Sequence, residues 1–366
     1  MDKLVIRNAE CCEFDLVSLG EIMLRFDPNF QRIRFCRNFD VYEGGAEYNV
    51  ARGLKSCFGK RAAIVTSLAD NEVGRLIENL VNFGGVNSSL IDWLRYDGIG
   101  KSCRNGLNFT ERGYGVRGAL GFSDRANTAI SKLKKGKINW EKIFGERGVR
   151  WFHTGGVFAA LSADAPDVIH EALEVAKKYG TITSFDLNYR ESLWQSFGGI
   201  RRCREVNRKL AKYCDVVLGN EEDFYKCLGL KSDGVDSNLS NLPVESYKLM
   251  INEAKKQFPN LKVIASTLRV VKTASLNDWS ALCWYQGKLY ESKKFENLDI
   301  FDRVGGGDSF ASGLIYSFLE SFDPIKAVNY GAAHGALAMT TPGDITFAHK
   351  DEVENLVEGG SARIKR

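Results

Sequence analysis

Residues 149–186 read VRWFHTGGVFAALSADAPDVIHEALEVAKKYGTITSFD. The first six and the last six residues of this stretch are apolar runs containing β-branched and aromatic residues, which is typical of buried strands. Between the two runs, Asp164 is a candidate helix N-cap, Pro166 lies in the first turn and Gly180 marks the helix end. A strand, a helix and a second strand in this order form a βαβ unit, whose strands are parallel.

The same alternation continues on both sides of this unit. Further strands are predicted at 16–23, 62–68, 216–218 and 261–266, and further helices at 74–83, 202–213 and 247–258. Because parallel strands joined by helices need cover on both faces, we predict an α/β protein with three layers and a mainly parallel central sheet.

Two stretches, 24–42 and 96–122, break this rhythm. Both are rich in aromatic residues, arginine and glycine and have no helical periodicity, so we expect strands that leave the main sheet and form a small separate one. We expect residues 1–14 to be an N-terminal extension, residues 15–350 to form a single domain that includes these strands, and residues 351–366 to be a C-terminal tail.

The composition is that of a folded globular chain. It has 366 residues, of which 44% are hydrophobic and 26% charged. The 50 basic and 46 acidic residues leave a net charge of +4, which does not favour a nucleic-acid partner. No apolar run approaches the roughly 20 residues that cross a bilayer, and the N-terminus lacks the apolar core of a signal peptide. We therefore expect small-molecule partners, with neither nucleic acid nor membrane among them.

Three patterns in the sequence argue against other functions. Nine cysteines form no CxxC pair and no histidine stands near one at ligand spacing, so we predict reduced thiols, a cytoplasmic location and no zinc site. Residues 113–118 spell GxGxxG but neither follow a clear strand nor open a helix, which argues against a dinucleotide site. Residues 100–102, GKS, lack the leading glycine of a P-loop, because Arg95 stands in its place.

The strongest chemical signal is residues 302–310, DRVGGGDSF, followed by an apolar helix. Free backbone N–H groups at the glycines, added to the positive end of the helix dipole, would hold a transferring phosphoryl group. A carboxylate at Asp308 would repel a bound phosphate but could accept a proton from an attacking hydroxyl. We expect the helix N-terminus to keep its pKa low. The alternative is a flexible glycine turn capped by an aspartate.

Other candidate residues follow predicted strands. Asn49, after the glycine pair Gly44 and Gly45, can donate and accept hydrogen bonds to sugar hydroxyls, or the segment is only a tight strand-to-helix turn. Arg190 follows a strand in the crevice where open α/β sheets bind ligands. Its guanidinium could bind a substrate carboxylate through two hydrogen bonds, or it is a solvated surface arginine. Residues 220–223, NEED, taken alone indicate an asparagine helix cap with acidic residues in the first turn.

These motifs together resemble the ribokinase-like (PfkB) carbohydrate kinases, whose signature is close to DTxGAGDxFxxG. This chain has DRVGGGDSFASG, with Arg303 for threonine and Gly306 for alanine. Residues 186–194, DLNYRESLW, and 341–344, TPGD, agree in order, and the resemblance extends over residues 15–349. Within the family, the chain is most similar to the 2-keto-3-deoxygluconate kinases.

The resemblance implies a ribokinase-like fold in which 24–42 and 96–122 form a lid, with ATP and Mg²⁺ as cofactors. A dependence on a monovalent cation is left open. Asp308 would be the catalytic base, and the amides of Gly305, Gly306 and Gly307 would stabilise developing charge. Sugar-binding residues would be Gly44, Gly45, Asn49, Arg125, Arg190 and Asp308, with Arg117 a rival to Arg125 for the carboxylate. Nucleotide-binding residues would be Asn220, Thr267, Arg269, Asn277, Gly305, Gly307, Ala332 and Gly335, with Asp223 acting on the metal through water.

The small residues Ala332 and Gly335 are explained equally well by close packing of a helix against the sheet. The function that the resemblance implies is ATP-dependent phosphorylation of a primary hydroxyl of a sugar acid, 2-keto-3-deoxygluconate giving its 6-phosphate. One alternative is a kinase for a neutral sugar such as fructose or ribose. Another is a sugar- or nucleotide-binding regulator on the same fold without catalysis. The family's lids often pair between subunits, so a homo-oligomer is expected.

Overall fold

The computed structural model describes residues 3–230 and 244–360, which contain a ten-stranded sheet, a four-stranded sheet and helices around the larger one. The strands are β1 (Phe14–Leu19), β2 (Met23–Asp27), β3 (Asp40–Gly44), β4 (Ala62–Asp70), β5 (Ile91–Arg95), β6 (Gly106–Glu111), β7 (Leu120–Asp124), β8 (Val149–Gly155), β9 (Ile182–Asp186), β10 (Val216–Gly219), β11 (Val263–Thr273), β12 (Leu276–Tyr285), β13 (Lys288–Glu291) and β14 (Phe295–Asp299). The α-helices are α1 (Ala46–Ser56), α2 (Glu72–Phe83), α3 (Gly156–Ala159), α4 (Ala165–Lys178), α5 (Glu191–Gln195), α6 (Gly199–Ala211), α7 (Glu221–Asp223), α8 (Val244–Gln257), α9 (Gly306–Glu320), α10 (Pro324–Ala338) and α11 (Lys350–Glu358).

The large sheet has the order β13-β12-β11-β10-β9-β8-β1-β4-β5, and β14 pairs with β12. From β11 to β5 every pairing is parallel. Successive residues of β1 pack into different cores: Leu16 contacts the core shared with α1, α9 and α10, and Val17 the core shared with α4, α6 and α8. Helices therefore cover both faces, which confirms the predicted three-layer α/β class.

The predicted helix of the βαβ unit is α4, but its start differs from the prediction. Asp164 occupies the N-cap position without a side-chain capping bond. The hydroxyl of Ser162 instead accepts the N–H of Ala165 at 3.2 Å. The hydroxyl of Ser162, two residues before Asp164, thus accepts a hydrogen bond from one of the free N–H groups at the helix start. The carboxylate of Asp164 was expected to accept it.

The antiparallel edge of the large sheet was not predicted. β11 continues to Thr273, seven residues beyond the strand expected to end at 266, and β12, β13 and β14 follow it in antiparallel pairings. Exposed and half-buried residues dominate the second half of β11, so no apolar run marks it in the sequence. Thr267 and Arg269, expected at the end of a strand, consequently lie in its middle, and Asn277, expected in the connection that follows, lies in β12.

The four-stranded sheet has the order β3-β2-β6-β7 and arises from the two stretches that broke the helical rhythm. We call it the lid. Registers alternate across it, so that Arg25, Asn108 and Ser123 share one face, and Phe26 and Phe109 share the other with Phe122. The first face points toward the large sheet, where Asn108 and Ser123 line a cavity. The predicted small sheet is thus confirmed.

The segments expected to be an extension and a tail make packed contacts where they are described. Leu4 is buried in the core against the large sheet, and Arg7 donates to the carbonyl of Phe144 at 2.6 Å. Residues 350–358 form α11, whose Val353 is fully buried. Residues 1, 2 and 361–366 lie outside the described part of the chain. Among the described helices, none combines the length and apolar character needed to cross a membrane.

Candidate active site

A cavity of about 820 Å³ lies between the lid and the large sheet. It is lined by residues that follow or end the parallel strands, among them Glu21 after β1, Asp186 at the end of β9 and Asn220 after β10. The carboxyl ends of parallel strands are where open α/β sheets bind their ligands. The residues predicted from sequence that also line this cavity are Gly45, Asn49, Arg125, Arg190, Asn220, Asp223, Thr267, Arg269, Gly305, Gly306, Gly307 and Asp308.

The turn that opens α9 needs glycine at its first position. Gly305 has φ 81°, in the left-handed region, and a Cβ there would lie 1.9 Å from the carbonyl oxygen of Asp344. A Cβ on Gly307 would meet no atom within 4 Å, so this residue faces the open cavity. The first N–H groups of a helix have no acceptor within it. The amides of Gly306 and Gly307 are therefore free of intrahelical acceptors, and binding of a phosphoryl group by the amides of Gly305, Gly306 and Gly307 stays a prediction.

Asp308 lies in the first turn of α9 and is 9% exposed. Its Oδ2 accepts a hydrogen bond from Nδ2 of Asn49 at 2.7 Å. Burial raises the pKa of Asp308 to about 6; the charge of Asp344 adds to the rise, and the Asn49 hydrogen bond and the charge of Arg190 oppose it. The expected low pKa was therefore wrong, because burial outweighs the helix terminus. A carboxylate with a pKa of 6 is a stronger base than a free aspartate and still ionised at neutral pH.

Asn49 is held so that it orients this carboxylate. Its Oδ1 accepts the N–H of Gly45 at 3.3 Å while its Nδ2 donates to Asp308. Sequence reasoning assigned Asn49 to the sugar, and that contact stays a prediction. Gly44 has a packing reason of its own, since a Cβ there would lie 2.4 Å from Oδ2 of Asp344.

The hydrogen bond between Asn49 and Asp308 predicts a shift in pH dependence. If Asp308 must be ionised to act, kcat/KM falls about tenfold per pH unit below pH 6. Asn49→Ala removes a bond that lowers the pKa of Asp308, so we expect its acid limb to move to higher pH. Initial rates from pH 5 to 8 measure the acid limb of the wild-type protein and that of Asn49→Ala. Protonation of the nucleotide would affect the wild-type protein and Asn49→Ala equally. An acid limb that does not shift in Asn49→Ala would therefore contradict its assignment to Asp308.

A buried cluster of charges fixes the turn from the lid side. Arg25, fully buried in β2, forms ion pairs with Asp27 at 2.9 Å, with Asp344 at 2.6 Å and with Asp302. The other oxygen of Asp302 accepts the N–H of Val304 at 3.2 Å. One guanidinium thus joins the lid to the two loops that flank the glycine turn. The sequence singled out Asp302 and the segment containing Asp344 but gave no sign of their partner.

The structure separates the two arginines that compete for a substrate carboxylate. Arg125 lines the cavity, and its Nε donates to Oε2 of buried Glu21 at 2.8 Å. Arg117 belongs to the turn between β6 and β7, 3.6 Å from Glu111, and is not among the lining residues. The geometry therefore favours Arg125, which already carries one internal carboxylate.

Arg190 also lines the cavity and, unlike Arg125, forms no ion pair with the described residues. Its Nη1 donates to the carbonyl of Tyr189 at 3.1 Å, and no carboxylate of the described residues lies within ion-pair distance of it. The side chain is exposed to the cavity space. Its remaining donors are free for an anionic group of a ligand.

Glu47, to which sequence reasoning gave no role, also lines the cavity. It is 1% exposed, and a Cβ on Gly20 would lie 2.2 Å from its Oε2. Burial, reinforced by the charge of Asp308, raises the pKa of Glu47 to about 8. It is therefore mostly neutral at pH 7 and adds little negative charge beside the base.

The acidic segment 220–223 forms a helix cap. The N–H of Asp223 bonds to Oδ1 of Asn220, and the N–H of Asn220 bonds to Oδ2 of Asp223, both at 2.9 Å. The other oxygen of Asp223 accepts the N–H of Tyr189 at 2.8 Å. This is the capping alternative that the sequence left open. The described residues contain no group of three acidic, histidine or cysteine side chains placed to hold a metal, but Glu222 lines the cavity as an exposed carboxylate.

Three residues predicted to bind the nucleotide do not line the cavity: Asn277, Ala332 and Gly335. The carbonyl of Ala332 accepts the indole N–H of Trp279 at 2.9 Å, and a Cβ on Gly335 would lie 2.9 Å from the same ring. Close packing of α10 on β12 thus explains the small residues. Trp279 itself lines the cavity, with Met339, and neither was marked by a motif.

The GxGxxG pattern at 113–118 also has a structural explanation. It forms the turn between β6 and β7, at the tip of the lid. The carbonyl of Gly115 accepts the N–H of Ala274 at 2.8 Å, and the N–H of Gly115 bonds to the hydroxyl of Ser275 at 3.1 Å. The tip of the lid therefore rests on the turn between β11 and β12 and opens no helix.

Comparison with known proteins identifies the family. The model of the pfkB family of carbohydrate kinases matches residues 13–351. The chain belongs to this family. PfkB kinases phosphorylate carbohydrates, and the matched range contains the glycine turn and Asp308.

Relatives of this PfkB kinase include enzymes that act on sugar acids. It is 30% identical to the 2-dehydro-3-deoxygalactonokinase of Haloferax volcanii, over 96% of this chain and 99% of that one. It is 27% identical to a 5-dehydro-2-deoxygluconokinase of Clostridium botulinum, over 90% and 88%. The crystal structure of a 2-dehydro-3-deoxygluconokinase from Thermotoga maritima is similar with a TM-score of 0.85 and 36% identity, over 94% and 99% of the two chains.

Proposed function

We propose that this PfkB kinase transfers the γ-phosphate of ATP to a primary hydroxyl of a 2-keto-3-deoxy sugar acid, giving its 6-phosphate. The observation that carries the proposal is the placement of unpaired Arg190 and of Arg125 in the same cavity as Asp308. A neutral sugar would not need two guanidinium groups beside it, whereas a carboxylate is bound well by them. The names of the relatives support the same class of acceptor.

The proposed reaction is an in-line transfer. Asp308 orients the acceptor hydroxyl and takes its proton as the oxygen attacks the γ-phosphorus. The amides of Gly306 and Gly307 donate to the oxygens on which charge develops. Asn49 keeps the carboxylate of Asp308 in position, since its amide donates to one oxygen and leaves the other for the substrate.

Mg²⁺, when bound, neutralises charge on the nucleotide phosphates. The oxygens of Asp223 already accept backbone N–H groups at 2.8 and 2.9 Å, so Asp223 is a poor direct ligand for a metal. This fits an ion that arrives bound to the nucleotide. Glu222, an exposed carboxylate that lines the cavity, would contact the Mg²⁺ ion, and Asp223 would act on the ion through water.

The acceptor is tested by ADP release with 2-keto-3-deoxygluconate, its galactonate epimer, fructose and ribose. We expect kcat/KM to be highest for one of the two sugar acids. A preference for fructose or ribose would establish the neutral-sugar alternative. Binding of sugar and nucleotide without any ADP would establish a non-catalytic regulator, and either result would overturn the proposal.

Arg190→Ala should weaken binding of an acidic sugar. We expect KM to rise by the equivalent of about 1 to 3 kcal/mol, the value of a lost charged hydrogen bond, with a smaller change in kcat. Arg201→Ala, an exposed arginine on α6 outside the cavity lining, is the matched control. An equal loss with fructose would show that Arg190 does not bind a carboxylate.

We also propose a dimer formed through the lid. The face of the lid that turns away from the cavity carries Phe26, Val41, Phe109, Leu120 and Phe122. Val41, Leu120 and Phe122 are 38, 49 and 50% exposed, and the rings of Phe109 and Phe122 stack at 5.1 Å. A second copy of this apolar face would cover it. Light scattering of the purified protein measures the mass, and a monomer at micromolar concentration would contradict this arrangement.

The cysteines support a reducing compartment, and we propose the cytoplasm. All nine are free thiols in the described residues. Seven are buried, and burial raises the pKa of Cys57 to about 12, which leaves it protonated and unreactive at neutral pH.

A further inference from the structure

Two further arginines line the cavity, Arg269 from β11 and Arg303 from the loop before α9. Both line the cavity together with Thr267 and the glycine turn. Enclosure of the side chain, and after it the charge of Arg303, lower the pKa of Arg269. Arg269 and Arg303 therefore place two positive charges in the part of the cavity that also contains Thr267 and the glycine turn, with Glu221 as an acidic neighbour.

Neither guanidinium forms an ion pair with a carboxylate in the described part of the chain, although Glu221, which also lines the cavity, acts on Arg269 through its charge. Arg125, by contrast, is paired with Glu21. Asp302, next to Arg303 in the chain, is committed to Arg25. Two positive charges beside the free amides of a helix N-terminus make this part of the cavity favourable for an anionic group of a ligand.

We propose that Arg303 and Arg269 form a clamp on the β- and γ-phosphates of the nucleotide, with Arg303 as a further catalytic residue. This inference rests on the proposed function for the identity of the donor. As the sugar oxygen bonds to the γ-phosphorus, the bond from that phosphorus to the β–γ bridging oxygen breaks. The hydroxyl proton goes to Asp308 and ADP leaves with the bonding electrons. Charge grows on the leaving oxygen, where a guanidinium that donates two hydrogen bonds stabilises it.

The clamp is distinguished from general nucleotide binding by phosphate number. Calorimetric titration of Arg303→Ala with AMP, ADP and ATP, without sugar, should show unchanged affinity for AMP. Affinity should fall a few-fold for ADP and about 10- to 100-fold for ATP. Arg303→Lys keeps the charge without the planar fork and should recover part of the ATP affinity but less of kcat. Arg201→Ala is again the matched control, since it removes an exposed arginine outside the cavity lining.

Arg303 is exposed and forms no ion pair with the described residues, so its loss should leave the melting temperature unchanged. Equal losses for the three nucleotides, or an unchanged ATP affinity, would overturn the clamp. So would a wild-type protein that binds AMP as tightly as ATP. The titration needs no acceptor, so failure of the sugar-acid proposal would appear in the acceptor panel and leave the dependence on phosphate number intact.

Discussion

Asp308→Ala should lose nearly all phosphate transfer while ATP still binds. We expect kcat to fall by about 10² to 10⁴, the range for removal of a general base. Asp308 follows Gly306 and Gly307 at the start of α9 and lines the cavity with them, and its raised pKa suits it to accept the hydroxyl proton. Steady-state ADP release measures the loss, and titration with ATP measures binding.

The control for this change is Asp299→Asn, on the exposed edge strand β14, which should keep wild-type kcat. Asp308→Asn is a useful companion, because it keeps the shape of the side chain and removes the base. If either Asp308 variant retains most of kcat, the base lies elsewhere and the proposed mechanism fails. If ATP binding is lost together with turnover, Asp308 acts in nucleotide binding and not in proton transfer.

Arg25→Met should strongly destabilise the fold. It leaves Asp302 and Asp344 buried without their cation, whereas Asp27 keeps its ion pair with Arg112 at 3.2 Å. Removal of one member of a buried ion cluster typically costs about 3 to 5 kcal/mol of the free energy of unfolding. Urea denaturation followed by tryptophan fluorescence measures the loss.

Arg202→Ala provides the comparison, since its pair with Glu205 on α6 is largely exposed and should contribute less than about 1 kcal/mol. A loss below about 1 kcal/mol for Arg25→Met would mean that the carboxylates become protonated or hydrated at little cost. The folded fraction of Arg25→Met should also show a lower kcat, because Asp302 no longer holds the turn before α9 in place.

The fold was predictable because its signals are local. Each parallel strand and its helix carry their own apolar pattern, and the glycines and Asp308 are neighbours in the chain. The antiparallel edge was missed because the outer part of β11 has half-buried and exposed residues that form no apolar run. For Ala332 and Gly335 the sequence allowed two explanations, and the packing of Trp279 distinguishes them.

The features that sequence reasoning missed in the site arise from distant residues. Arg25 and Asp344 are 319 positions apart, and nothing near Arg25 in the sequence indicates a buried cation. The pKa of Asp308 was misjudged for a similar reason. The helix terminus is visible in the sequence, whereas the burial that raises the pKa comes from the surrounding tertiary structure.

Glu47 and Gly20 restrict how the acceptor range of this enzyme could be redesigned. The carboxyl of Glu47 fills the volume that any side chain at position 20 would need, with only 2.2 Å between its Oε2 and a Cβ placed there. A side chain at position 20 therefore requires a smaller or displaced residue at position 47. Mutational libraries that aim to reshape this wall of the cavity should vary the two codons together.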